Sequence, residues 1–169
     1  MTITVNMCAR VLAIFAAAPI SLAVAAPAAL ADTADTVYFS YGPEVNCAIT
    51  GDGTVGCDVS PGYWLSLPVA DRSIPVPFVP VRQVVIDQPW LPAHPGSAIG
   101  AFTLPGGNPF LGTIKTGEGY ASIWVDHAGA TCTITGFHYS GPGLSCSSKG
   151  HSFALYSDHD GVRGGIYMR

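Results

Sequence analysis

The chain has 169 residues, with seven Lys/Arg against eleven Asp/Glu for a formal net charge of −4, and carries 20 glycines, 14 prolines and five cysteines. So acidic and lightly charged a surface excludes nucleic acid and anionic lipid as natural partners, because both are held by a basic patch. The glycine and proline content excludes a fold of long helices.

The N-terminus reads MTITVNMCARVLAIFAAAPISLAVAAPAALAD, with one basic residue, Arg10, ahead of an apolar Ala-rich run that ends in Ala29-Leu30-Ala31. A short positive region, an apolar region and a small-x-small site read as a signal peptide over residues 1–31. Pro19 and Pro27 interrupt the run, which counts against a membrane anchor of the same length. Cys8 lies ahead of the run, on the wrong side for lipidation. Cleavage would leave 32–169 as one domain with no stable membrane span, secreted or associated with the cell envelope, with six basic residues against eleven acidic for a net of −5. Its four cysteines, Cys47, Cys57, Cys132 and Cys146, read as disulfides in an exported chain. Zinc ligation would require a short Cys-x2–4-Cys spacing that is missing.

Tyr38-Phe39-Ser40 reads as a first strand and Gly42-Pro43-Glu44 as a turn. In VNCAITGDGTVGCDV, alternation puts Val45, Cys47 and Ile49 on one face, then Val55, Cys57 and Val59 on one face, the signature of two half-buried strands. With Gly51-Asp52-Gly53 as a three-residue hairpin loop, Ile49 pairs with Val55 and Cys47 falls opposite Cys57, within disulfide range.

The stretch from Tyr38 to Val59 resembles a family of small exported actinobacterial proteins whose domain has no assigned function. The pattern is carried by Phe39, Ser40, Asn46, Cys47, Ile49, Gly53, Val55, Cys57 and Asp58. The resemblance implies export and a disulfide-pinned hairpin, and supplies no catalytic residues.

Further along, a Pro-rich connector is expected at about 68–96. Its run Ile74-Pro75-Val76-Pro77-Phe78-Val79-Pro80-Val81 is barred from helices and central strands and reads as extended backbone along the surface. Strands are expected at Arg82–Asp87 and Ala98–Leu104, and a turn at Gly117-Glu118-Gly119. Ile123-Trp124-Val125 begins a second copy of the first pattern, with a turn at His127-Ala128-Gly129. There Cys132-Thr133-Ile134-Thr135-Gly136 repeats the figure Cys47-Ala48-Ile49-Thr50-Gly51, and a loop four residues longer keeps the parity that sets Cys132 opposite Cys146. The pairings are therefore Cys47–Cys57 and Cys132–Cys146, within two related three-stranded meanders. Ser152–Tyr156 alternates as a strand, Ser157-Asp158-His159-Asp160-Gly161 reads as a polar turn, and Gly165–Met168 as a last edge strand.

No Gly-x-Ser-x-Gly elbow, Gly-rich phosphate loop or glycosylation sequon is present. Asp158, His159, Asp160 and His151 form the one cluster with metal or acid–base chemistry in reach, joined by Asp126 and His127 if the final strands lie beside one another. Tyr63, Trp64, Trp90, Phe137 and Tyr139 lie in or near loops and are candidate binding aromatics. The fold expected is all-β, a sandwich or barrel of short antiparallel strands. The favoured function is a non-catalytic binding module, without a cofactor, for a protein or cell-wall component. Its rival is a small secreted hydrolase or metal-dependent enzyme using the His/Asp cluster.

Overall fold

The computed structural model describes residues 35–69, 72–75, 80–136, 143–158 and 161–167. In these the chain forms, in order, β1 (Val37–Tyr41), β2 (Val45–Ile49), β3 (Val55–Val69), β4 (Arg72–Pro75), β5 (Val81–Ile86), β6 (His94–Pro95), α1 (Leu111–Ile114), β7 (Gly117–Gly119), β8 (Ser122–His127), β9 (Ala130–Thr135), β10 (Gly143–Ser148), β11 (His151–Asp158) and β12 (Gly161–Tyr167). The fold is all-β, an open sheet curled into a half-barrel. Its main path runs β1-β2-β3-β12-β11-β10-β9-β8-β7, with β5 and β4 on the other edge of β3 and β6 beside β5. The segment proposed as a signal peptide lies outside the described residues, and among these no helix is long and apolar enough to cross a membrane.

Two antiparallel meanders, β1-β2-β3 and β8-β9-β10, carry the repeated figure. Cys47 stands opposite Cys57 with Ile49 opposite Val55, and Cys132 opposite Cys146 with Ile134 opposite Leu144. Both pairs are disulfides with Cα atoms 4.0 and 4.1 Å apart, as the register and cysteine spacing required. The cysteines lie on the inner face, where Phe39, Ile49, Val55, Val84, Ile86, Leu144, Phe153 and Leu155 form one core. Each large side chain buried there contributes roughly 1.5–3 kcal/mol. Leu111 of α1 is fully buried, and α1 packs against both β1 and β8, so the short helix fills the gap between the two meanders.

The long strand β3 joins the halves. One of its edges is taken by β2 as far as Val59 and then by β12, in parallel, from Trp64 to Ser66. Between Asp58 and Tyr63 the register against β5 shifts, a bulge that re-aims the strand from one neighbour to the next. Inward parity survives it, since Val55, Cys57, Val59, Tyr63 and Leu65 are all buried.

Three sequence expectations are corrected. The last strand, expected at an edge, is interior, paired with β11 on one side and β3 on the other. Gly164 allows this, because a Cβ there would stand 2.4 Å from Cε2 of Tyr63. Gly117–Gly119, expected as a turn, is strand β7, over whose Gly117 the indole of Trp124 lies so closely that a Cβ would stand 2.4 Å from it. Ala98–Leu104, expected as a strand, is a series of turns, with Ala101 N–H donating to the Ala98 carbonyl and Gly100 at φ +90°. Within the Pro-rich segment, Pro75 and Pro95 fall in β4 and β6, each paired on one side only among the described residues, where a missing N–H donor is tolerated. Residues 76–79 lie outside the described residues.

What replaces the missing strand is a strap, residues 96–110, laid over the outer face of β1, β2, β3 and β5. The buried carboxylate of Asp58 accepts four hydrogen bonds, from Gln83 Nε2 (2.8 Å), Gly100 N–H (3.0 Å), Phe102 N–H (2.9 Å) and Thr103 Oγ1 (2.8 Å). Gln83 also donates to the Ala98 carbonyl (2.7 Å), and the Phe102 ring lies directly over Gly56. At the far end Asn108 Nδ2 donates to the carbonyls of Phe39, Cys47 and Phe102, while its own N–H donates to Asn46 Oδ1 (3.0 Å). Asn46 and Asp58, both residues of the sequence pattern, therefore hold the chain to itself.

Candidate binding face

The outer face of the second half, β3-β12-β11-β10-β9-β8, carries no such strap among the described residues. Registers align its outward side chains into rows across the strands. One row runs Trp64, Arg163, Tyr156, Gly143, Thr135 and Ser122. The next runs Ser66, Gly165, Ala154, Ser145, Thr133 and Trp124, with Gly165 and Ala154 as its small floor. A third contains Ser152, Ser147, Thr131 and Asp126. Trp64 is 55% exposed and Tyr156 44%. The Tyr156 ring lies over Gly143, where a Cβ would stand 2.8 Å from it. Strand periodicity explains the composition: alternate positions of β9 and β10 face the core as Cys132, Ile134, Leu144 and Cys146, leaving hydroxyl residues outward.

At one end of this face Ser145, Ser147, Ser152 and His151 line an open cavity of about 400 Å³. The turn between β10 and β11 that borders it is locked to the first meander. Ser148 Oγ donates to the Gly53 carbonyl (2.5 Å), and Lys149 Nζ donates to Asp52 Oδ2 (3.2 Å), Thr54 Oγ1 (3.3 Å) and the Asp87 carbonyl (3.0 Å). Partial burial pushes the Asp52 carboxyl up, but hydrogen bonds from Thr50, from the backbone and hydroxyl of Thr54 and from Lys149 outweigh it and hold the group well below the usual carboxylate range. These bonds tie the cavity wall to the first meander.

The residues singled out from the sequence are dispersed. Tyr63, expected near a loop, is an inward residue of β3, 1% exposed, and burial pushes its phenol well above the usual range. Trp64 is its outward neighbour. Trp90 is 76% exposed in a turn braced by His151 Nε2 on the Pro89 carbonyl (3.0 Å). Phe137, Tyr139, His159 and Asp160 lie outside the described residues, and Asp158 ends β11 opposite Gly161. Asp126 and His127 do not reach His151, because β9 and β10 separate β8 from β11. Asp126 instead accepts from Thr131 Oγ1 (2.6 Å), and His127 Nε2 contacts Asp35. Among the described residues no three His, Cys, Asp or Glu side chains gather where they could hold a metal ion.

Sequence reasoning missed the hydroxyl face. Its signal is Thr131-x-Thr133-x-Thr135 and Ser145-x-Ser147, hydroxyl residues alternating with the inward Cys132, Ile134 and Cys146. Comparison of the chain with family models, with curated proteins and with solved structures finds no match.

Proposed function

We propose that this protein is an exported, non-catalytic binding module of the cell envelope or extracellular space, and that the outer face of β8 to β12 is its binding surface. The observation that carries the reading is the contrast between two similar meanders. One has its outer face covered by residues 96–110, and the other presents rows of hydroxyls beside a polar cavity, continued by the exposed aromatics Tyr156 of β11 and Trp64 of β3. Two buried disulfides suit an oxidising compartment, and the N-terminal pattern suits export. The experiment is co-sedimentation of the purified protein with insoluble envelope material, paired with N-terminal sequencing of protein recovered from culture medium. Retention that is lost in Ser145→Glu but kept in Trp90→Ala, with a mature start at Asp32, is expected. Equal retention of both variants, or a start at Met1, overturns the reading.

A further inference from the structure

Resting on that reading, we infer that the serine-lined cavity beside the β8–β9 and β10–β11 turns takes a neutral sugar, the terminal hexose of a glycan chain. Strand register places its hydroxyls. Ser147 of β10 faces Ser152 of β11 as a cross-strand pair, with Cα atoms about 5 Å apart, and Ser145 stands two residues along β10, about 7 Å from Ser147. All three belong to the outer face, because the alternate residues Leu144, Cys146 and Phe153 are buried in the core. None of the three hydroxyls has a hydrogen-bond partner among the described residues. A single pyranose ring, with hydroxyls around its rim, can reach all three corners of such a triangle.

The rest of the wall selects against charge and against apolar surface. The Lys149 ammonium is already held by Asp52, Thr54 and the Asp87 carbonyl, and the Ser148 hydroxyl by the Gly53 carbonyl, so neither is left to recruit an anion. His151 donates Nε2–H to the Pro89 carbonyl, which makes Nδ1 of the neutral ring a bare acceptor, and that buried atom has no partner among the described residues. A lone pair in the wall repels an anion and suits a ligand that brings donors. No carboxylate lines the cavity among the described residues, so a cation finds no counter-charge, and no apolar or aromatic side chain lines it to hold an apolar ligand. A hydroxyl donates and accepts at once, and a wall of hydroxyls is matched by a molecule made of them. The volume of about 400 Å³ lies at the small end of ligand sites, room for one ring and not for a length of chain. A neutral ligand also carries no charge for the acidic chain to repel.

The test is an NMR titration of the isotope-labelled protein with the methyl glycosides of glucose, galactose, mannose and arabinose, and with methyl glucuronide, which keeps the ring and adds a carboxylate. Expected is saturable movement of the Ser145, Ser147, Gly150 and Ser152 amides with at least one neutral glycoside, at a Kd of about 1 mM, and no saturation with the glucuronide. Ser147→Ala and Ser152→Ala should each weaken binding by about threefold or more while leaving the urea midpoint unchanged, because each removes a hydroxyl that has no partner within the chain. Trp64→Ala, outside the cavity, should bind as wild type does. Failure of all four neutral glycosides to move these amides, equal binding of the glucuronide, or wild-type affinity in the doubly substituted serine variant overturns the inference. Retention on envelope material without any glycoside binding overturns this ligand class and leaves the binding-module reading standing. Glycoside binding without retention supports the sugar site and overturns the envelope as the source of its ligand.

Discussion

Replacing Asp58 by alanine probes how the strap is held. The carboxylate is 7% exposed and accepts four hydrogen bonds at 2.8 to 3.0 Å, three of them from the strap itself through Gly100, Phe102 and Thr103. A hydrogen bond to a charged group contributes about 1.5–3 kcal/mol, but three of these donors are only partly buried and recover water once the strap loosens. Allowing about 1 kcal/mol for each bond and a little more for the donor of Gln83, left buried between strands, Asp58→Ala should cost about 3–5 kcal/mol. Asp58→Asn keeps one acceptor oxygen for Gln83 and Gly100 but turns an amide donor towards the Phe102 N–H, so about half of that loss is expected. Urea unfolding measures the change as a shift in midpoint, and amide hydrogen exchange locates it. Protection should fall at Gly100 and Phe102 and persist at Cys132 and Cys146. A loss below about 1 kcal/mol in the alanine variant, or unchanged protection at both strap amides, would refute the assignment of Asp58 as the strap's anchor.

Two other outcomes can be checked on the same purified protein. Tyr63 buries its hydroxyl without a hydrogen-bond partner among the described residues, so Tyr63→Phe should leave stability unchanged or raise it by about 1 kcal/mol. A loss greater than that, from urea midpoints at constant slope, would mean the hydroxyl is satisfied. For His94, partial burial pulls the imidazole pKa down, but the hydrogen bond to Asp87 (3.1 Å), the Pro95 carbonyl and the Asp87 charge outweigh it and hold it above the usual value. The sign follows from linkage: the contribution is complete below the unfolded pKa of about 6.5 and disappears as pH rises through the folded value. His94→Asn should therefore be less stable than wild type near pH 5.5, by less than about 1 kcal/mol because both partners reach solvent, and equal to it near pH 9. A deficit that persists at pH 9 would show that the ring matters for packing and not for its charge.

The hairpins were legible in the sequence because two independent signals over-determine them: parity fixes which residues face inward, and the cysteine spacing fixes the register. Neither signal exists for Ala98–Leu104. Its apolar residues suit a strand, and what overrides them is a carboxylate more than forty residues earlier that captures Gly100 and Phe102 as turns. The interior place of β12 was hidden for a related reason. Glycines weaken a strand on local grounds, yet at Gly164 the missing side chain is what admits the Tyr63 ring and allows β12 to lie against β3. Such contacts depend on the third dimension, and composition carries no trace of them. The outward row of Trp64, Arg163 and Tyr156 was invisible for the same reason, since it exists only once β3, β12 and β11 are set side by side.

Aligning the meanders on their cysteines gives the contrast its physical meaning. Asn46 corresponds to Thr131 and Asp58 to Ser147, because each lies one residue from its disulfide on the outward side. In the first meander these positions carry an amide and a carboxylate, groups that take several hydrogen bonds and so grip a strap through its backbone. In the second they carry hydroxyls, of which Thr131 already donates to Asp126. Hydroxyls of this kind do not hold an extended segment of the same chain in the manner of Asp58, and among the described residues no segment covers that face. An exposed sheet face of hydroxyls also resists non-specific apolar association, which allows it to stay exposed without a covering segment.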